Sequence, residues 1–175
     1  MNFVRLAALA AALSFTAVAL AQGKGPSDPQ IAGIVVAANQ IDIDAGKVAK
    51  SRSKNKQVQE FAQLMITDHT AVNKQASDLV KKLKVKPQES DTSRALKSAA
   101  KQTAEKQKAL KGAAFDKAYV DNEVAYHQQV LDAMDKVLIP NAQNAELKGL
   151  LEKVRPAFAA HLEHAKMVAS SLGKK

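Results

Sequence analysis

The chain has 175 residues, 46% hydrophobic but only 4% aromatic, and a formal net charge of +9 with no cysteine. That length allows one domain with a real core, and the apolar fraction excludes disorder throughout. The lack of cysteine excludes disulfides, cysteine-bound zinc and thiol catalysis.

Residues 1–21 read as a cleaved signal peptide. Arg5 supplies the positive end, Leu6 to Val18 the apolar stretch, and Ala19-Leu20-Ala21 a small-x-small cleavage site before Gln22. The stretch is too short and Ala-rich for a membrane anchor, and no later apolar run is long enough to span a bilayer. The expectation is a soluble periplasmic protein with three parts: residues 1–21 the signal peptide, 22–28 a Gly/Lys/Pro linker, and 29–173 one helical domain.

The mature chain carries helical periodicity and no alternating β-branched run, which predicts an all-α fold. Ser27-Asp28-Pro29 starts helix one, which runs to about Lys50 with the stripe Ile31, Ile34, Ala38, Ile41, Ala45, Val48 and with Asp42 at its border. Gly46, a poor helix former, predicts close approach of a neighbour. A short link at Ser51-Arg52-Ser53, with Ser53 as cap, turns the chain antiparallel into helix two. Its seam reads Val58, Phe61, Met65, Asp68, Val72, Ala76, Leu79, Leu83, with His69 beside Asp68, and Pro87 ends it near Lys84.

A weaker Ala/Lys-rich helix, about 92–110, follows with a thin apolar face, and covers one end of the core or is only partly ordered. Helix three, about Ala113 to Leu138, has the stripes Val120, Val124, His127, Leu131, Met134, Leu138 and Phe115, Tyr119, Asn122, Tyr126, Val130, with Glu123 one turn before His127. Helix four, about Ala142 to Leu172, reads Leu147, Leu151, Val154, Phe158, His161, Ala165, Val168, Leu172, with His164 nearby and Pro156 inside.

Four long helices with short links predict an antiparallel four-helix bundle in up-down order. Each stripe has a polar interruption near its midpoint: Asp42, Asp68 with His69, Glu123 with His127, and His161 with His164. Imidazoles and carboxylates at one buried level are ligand types for a divalent transition metal such as zinc, iron or copper. They also suit a buried hydrogen-bond network that fixes helix register, with Tyr119 and Tyr126 near enough to join. The metal candidates are therefore His69, His127, His161, Asp42, Asp68 and Glu123, with His164 as an additional one. Other chemistry finds no support, since the chain lacks a phosphate-binding Gly-rich loop and a nucleophile elbow.

Lysines cluster at Lys47, Lys50, Lys54 and Lys56, at Lys81, Lys82, Lys84 and Lys86, and again between Lys97 and Lys111. Without interleaved aromatics they do not point to nucleic acid. They read as a solvated basic surface, or as weak association with anionic envelope surfaces.

Phe61-Ala62-Gln63-Leu64-Met65-Ile66-Thr67-Asp68-His69, then Phe115-Asp116-x-x-Tyr119 followed by His127, then Pro156 followed by His161-Leu162-x-x-Ala165, stand in order along the chain. With Asp42 four residues before Gly46, these motifs resemble the bacterial exported domain-of-unknown-function family 4142, often labelled predicted outer membrane proteins. The resemblance covers about residues 30–172. It implies a ferritin-like four-helix bundle with an extra short helix before the third long one and no established activity, and its motif histidines are His69, His127 and His161. Di-iron ferritins carry Glu-x-x-His on two helices, whereas here Ile66 and Phe158 stand three residues before His69 and His161. The functional expectation is a binding or structural module of the cell envelope without a catalytic set, the alternative being a metal-binding protein with redox or hydrolytic activity.

Overall fold

The computed structural model describes residues 25–173; the expected signal peptide and residues 22–24 of the linker lie outside the described residues. The described chain is all-α: α1 Asp28–Arg52, α2 Lys56–Lys82, α3 Asp91–Lys108, α4 Gly112–Ala133, a π-helical turn Met134–Leu138, a short α5 Ile139–Asn141, and α6 Ala145–Leu172. None of the described helices is long and apolar enough to cross a membrane.

The caps explain most boundaries. Ser27 and Gln30 form a capping box in front of α1, with Pro29 in its first turn. Ser53 proves to be the C-terminal cap of α1, and Asn55 caps α2 by accepting from the amides of Gln57 and Val58. The reason is that α1 runs two residues further than expected, to Arg52, so the connection falls at residues 53–55. α2 stops at Lys82, and Lys84 adopts a left-handed φ of 54° before the loop. Asn144 caps α6 three residues later than the expected start, and that helix runs unbroken past Pro156.

α3 is fully formed and covers no end of the core. Gln88 N–H donates to Pro29 O at 2.8 Å at one end of α1, and Arg52 donates to the carbonyls of Gln107 and Leu110 at the other. α3 therefore lies along α1 and parallel to it. Its role is a crossover that carries the chain back along the molecule, so the long helices do not follow a simple up-down succession. α1 meets α2 antiparallel, with Lys50 on Gln63 and Asn39 on His69. α6 runs antiparallel to α2, with Ser171 on Gln57 and Lys82 on Glu146, and to α4, with Arg155 on Asp135 at 2.6 Å. α2 and α4 thus point the same way.

Gly46 does what its position predicts. A Cβ there would lie 2.9 Å from Ala62 O and 3.1 Å from Ile66 Cγ1, so its absence lets α1 and α2 pack closely one turn from Asp42.

Two apolar clusters fill the interior. One gathers Ile31, Val35, Val72, Leu131, Leu151, Phe158 and their neighbours; the other gathers Ala49, Val58, Phe61, Met65, Phe115, Val120 and Ala165. Burying one large apolar side chain stabilises the fold by roughly 1.5–3 kcal/mol. On every long helix the switch from one cluster to the other falls at polar residues: Asn39 and Asp42, His69, Glu123 and His127, His161. All of them are buried. The core is two apolar halves separated by one polar layer.

Candidate functional site

Each histidine enters that layer with one ring nitrogen already committed. His69 Nδ1 lies 2.7 Å from Asn39 Oδ1. The Asn39 amide in turn donates to Val35 O at 2.8 Å, so its oxygen faces the ring and accepts from Nδ1. His127 Nδ1 donates to Glu123 O at 3.0 Å. His161 Nε2 lies 2.9 Å from Asp68 Oδ2, to which it donates. A neutral imidazole has one N–H, so the remaining nitrogens (His69 Nε2, His127 Nε2 and His161 Nδ1) are lone pairs. All three are buried without a hydrogen-bond partner.

The three rings converge. His69, His127 and His161 each offer a ligand atom within 4.8 Å of the others', and their ring centroids are 5.2–5.6 Å apart. Asp42, Glu123 and His127 form a second group under the same limit. Asp42 Oδ2 stands 3.5 Å from His69 Nε2, and Glu123 Oε2 stands 3.5 Å from His127 Nδ1. Both carboxylate oxygens and the Tyr119 hydroxyl are also buried without a partner. Phe158 closes the layer with its ring set edge-on to His69 at 5.0 Å.

The electrostatics follow from burial. Desolvation, helped by the neighbouring His127 and His161, pushes His69 down to about 2. Desolvation likewise pushes His127 down to about 4, against the hydrogen bond from its ring to Glu123. Both are neutral at physiological pH, the form that binds metal ions. Burial raises Glu123 to about 7; burial first, and then the Glu123 charge, raises Asp42 well above the carboxylate range. Burial also raises Tyr119 well above the phenol range, with the charges of Glu123 and Asp42 adding to it. Asp42 and Glu123 face each other within hydrogen-bond reach, so the buried pair holds on to a proton more tightly than free carboxylates do, and a nearby cation would displace it.

Of the expected site residues, His69, His127, His161, Asp42 and Glu123 come together. Asp68 stands outside: its side chain is 38% exposed, and it touches the layer only through His161. A step of three or four residues from Met65 fits Asp68 and His69 equally, and burial goes to His69. His164 is half-buried with its ring edge-on to Phe61 at 5.2 Å, away from the cluster. Tyr126 donates to Ala38 O at 3.1 Å and makes no hydrogen bond to the layer's imidazoles or carboxyl groups, though its ring packs edge-on to His127 at 6.2 Å. Asn39, which sequence reasoning missed, is the partner of His69; its only sequence signal is an amide one turn before Asp42, beside a second amide at Gln40.

The arrangement is that of an all-α protein whose polar layer presents imidazole and carboxylate donors to one buried point. The chain belongs to the DUF4142 family, a domain of unknown function, whose family model matches residues 13–168. No curated protein and no solved structure matches the chain.

Proposed function

We propose that this is an exported, periplasmic, ferritin-like helical-bundle protein whose function is to hold a divalent transition metal ion, zinc, iron or copper, at the His/carboxylate layer. One observation carries the reading: three clustered imidazoles, each with one nitrogen fixed by a hydrogen bond, keep the other nitrogen buried without a partner. Metal-binding histidines are oriented in this way by carboxylates and carbonyls behind them. A network that merely fixed register would pair its own atoms, because each buried polar group left without a partner costs about 1–3 kcal/mol.

The donors fit such an ion. Four donors arranged tetrahedrally at about 2.0–2.1 Å from zinc stand about 3.4 Å apart. Asp42 Oδ2 and His69 Nε2, at 3.5 Å, have that spacing, and the three imidazoles each place a ring nitrogen within 4.8 Å of the others'. His69, His127, His161 and Asp42 would hold the ion, with Glu123 beside it. All of these residues are buried, which supports a closed binding site over an open catalytic one. The ferritin-like reading is supported by the crossover α3, since ferritin-like bundles have one long crossover connection.

The test is elemental analysis of untagged protein purified from the periplasm, followed by titration of the stripped protein with zinc, iron and copper. The reading expects near-stoichiometric metal and its loss in His161→Ala. Metal-free protein that takes up none of the three ions would refute it.

A further inference from the structure

The stripe Ile41, Ala45, Val48 belongs by pattern to the core of α1, yet it does not face the buried layer. From Ala38 onward the buried residues of α1 are Ala38, Asn39, Asp42, Ile43, Gly46 and Ala49, whereas Ile41 and Ala45 are only half-buried and Val48 is 44% exposed. The displaced stripe instead lines a groove of about 480 Å³ between α1, α3 and α4. α3 roofs it with Leu96, Ala99 and Ala100, whose two alanines leave the space beneath the helix unfilled, and Tyr126 of α4 stands in its wall. That volume falls in the range of small-molecule pockets, roughly 300–1,000 Å³. A long apolar groove left open to water costs free energy unless something occupies it.

Shape and charge narrow the occupant. The lining runs along α1 from Ala37 to Arg52, about 22 Å at the helical rise. One acyl chain spans about half of a bilayer core, or about 15 Å. The rim carries Lys97, Lys101 and Lys108 against the single acid Asp44. Lys97 is paired with Glu89 and Lys108 with Glu105, while Asp44 accepts from Gln40 and faces Lys47. Lys101 has no acidic partner among the described residues.

We infer that the groove under α3 binds a single-chain anionic amphiphile, a long-chain fatty acid. Its hydrocarbon lies on Ile41, Ala45, Val48 and Leu96, and its carboxylate meets the lysine rim at Lys101. The groove is built on faces of α1 and α4 that adjoin those carrying the histidine layer, and none of the layer's imidazoles or carboxyl groups lines it. The inference therefore does not rest on the metal reading.

The experiment titrates the full mature chain with tetradecanoate, below its aggregation concentration, by calorimetry. Tetradecyltrimethylammonium and acetate serve as comparators. Saturable one-to-one binding of tetradecanoate is expected, at least tenfold weaker for the cation with the same chain and undetectable for acetate. Ala100→Phe, which fills the groove, lowers tetradecanoate affinity at least tenfold. Lys101→Glu lowers it while raising affinity for the cation. Should Ala100→Phe fail to give a native melt, Ala104→Phe on the same lining fills the groove instead. Equal affinity for both amphiphiles, binding unchanged in a folded groove-filling variant, or uptake only by anionic vesicles with no binding of the monomer would each overturn the assignment.

Discussion

Asn39 turns its side-chain oxygen onto Nδ1 of His69 at 2.7 Å, while the backbone of its own helix, through Val35 O, holds its amide at 2.8 Å. The pair sets which nitrogen of His69 carries the proton, and hence that Nε2 faces Asp42 as a lone pair. Removing such an outer partner typically costs roughly 10–100-fold in metal affinity. Asn39→Ala should therefore weaken zinc binding by about that factor, whereas Asn39→Asp keeps an acceptor and should stay within a few-fold of the parent. Competition with a chromophoric chelator measures both; equal affinity in Asn39→Ala would remove Asn39 from the account.

The four histidines are not equivalent. His161 points a buried lone pair into the layer, whereas His164 packs against Phe61 outside it. His161→Ala should lower zinc affinity by 100-fold or more, and His164→Ala should leave it within twofold. Asp68→Ala, which removes only the acceptor behind His161, should fall between them. A His164→Ala loss as large as that of His161→Ala would mean that the ion sits elsewhere.

Gly46 sets the spacing on which Asn39, Asp42 and His69 depend. Its missing Cβ would press on Ala62 O at 2.9 Å and Ile66 Cγ1 at 3.1 Å. Alanine gains about 1 kcal/mol of helix propensity, which offsets part of that clash, but valine must push the helices apart. Gly46→Val should destabilise the protein by about 1–3 kcal/mol in urea and weaken zinc binding with it. A Gly46→Val variant as stable as Gly46→Ala would show that α1 and α2 do not meet closely there.

The layer makes the metal-free protein sensitive to pH on both sides. His69 and His127 are pushed down to about 2 and 4 by burial, from about 6.5 when unfolded. Their contribution is present above about pH 6.5 and is lost as pH falls, because the unfolded chain takes up protons first. Burial raises Glu123 to about 7 and Asp42 in the same direction. Their contribution is present below about pH 4, the unfolded carboxyl range, and is lost as pH rises through the folded values. Above pH 7 the histidine contribution is nearly complete, and the raised carboxyl groups weigh more. The urea midpoint of chelator-treated protein should fall from pH 7 to pH 9, and again from pH 4.5 to pH 3. A midpoint that rises steadily from pH 7 to pH 9 would contradict the protonated carboxyl pair.

The helices and the imidazoles were readable because both leave local marks: caps, apolar periodicity, and histidines set into otherwise apolar stripes. Faces were harder. On α1 the stripes Ile41-Ala45-Val48 and Asp42-Gly46-Ala49 lie side by side, and periodicity alone favours the more apolar one. The structure buries the other because Gly46 permits the close α2 contact and α3 covers the first. Asp68 and His69 pose the same ambiguity on α2, resolved by packing against α1 and α6. The path of α3 was hidden because its contacts to α1 join residues more than fifty positions apart, Arg52 to Gln107 and Leu110. Asn39 was missed because an amide within a helix carries no mark of the ring that it will meet.

Thermal melting at neutral pH, with and without a chelator and after resupply of zinc, iron or copper, shows whether the histidine layer holds a metal ion. A ligand that binds only the folded state stabilises it by mass action, about 2.7 kcal/mol at 100 times its dissociation constant. Protons compete for the same imidazoles and carboxylates, so the gain should be larger at pH 8 than at pH 6. The chelator should lower the melting temperature, and at least one of the three ions should restore it in the parent and not in His161→Ala. Identical melts for untreated, chelated and resupplied protein would contradict the metal reading and leave the histidine layer without a metal.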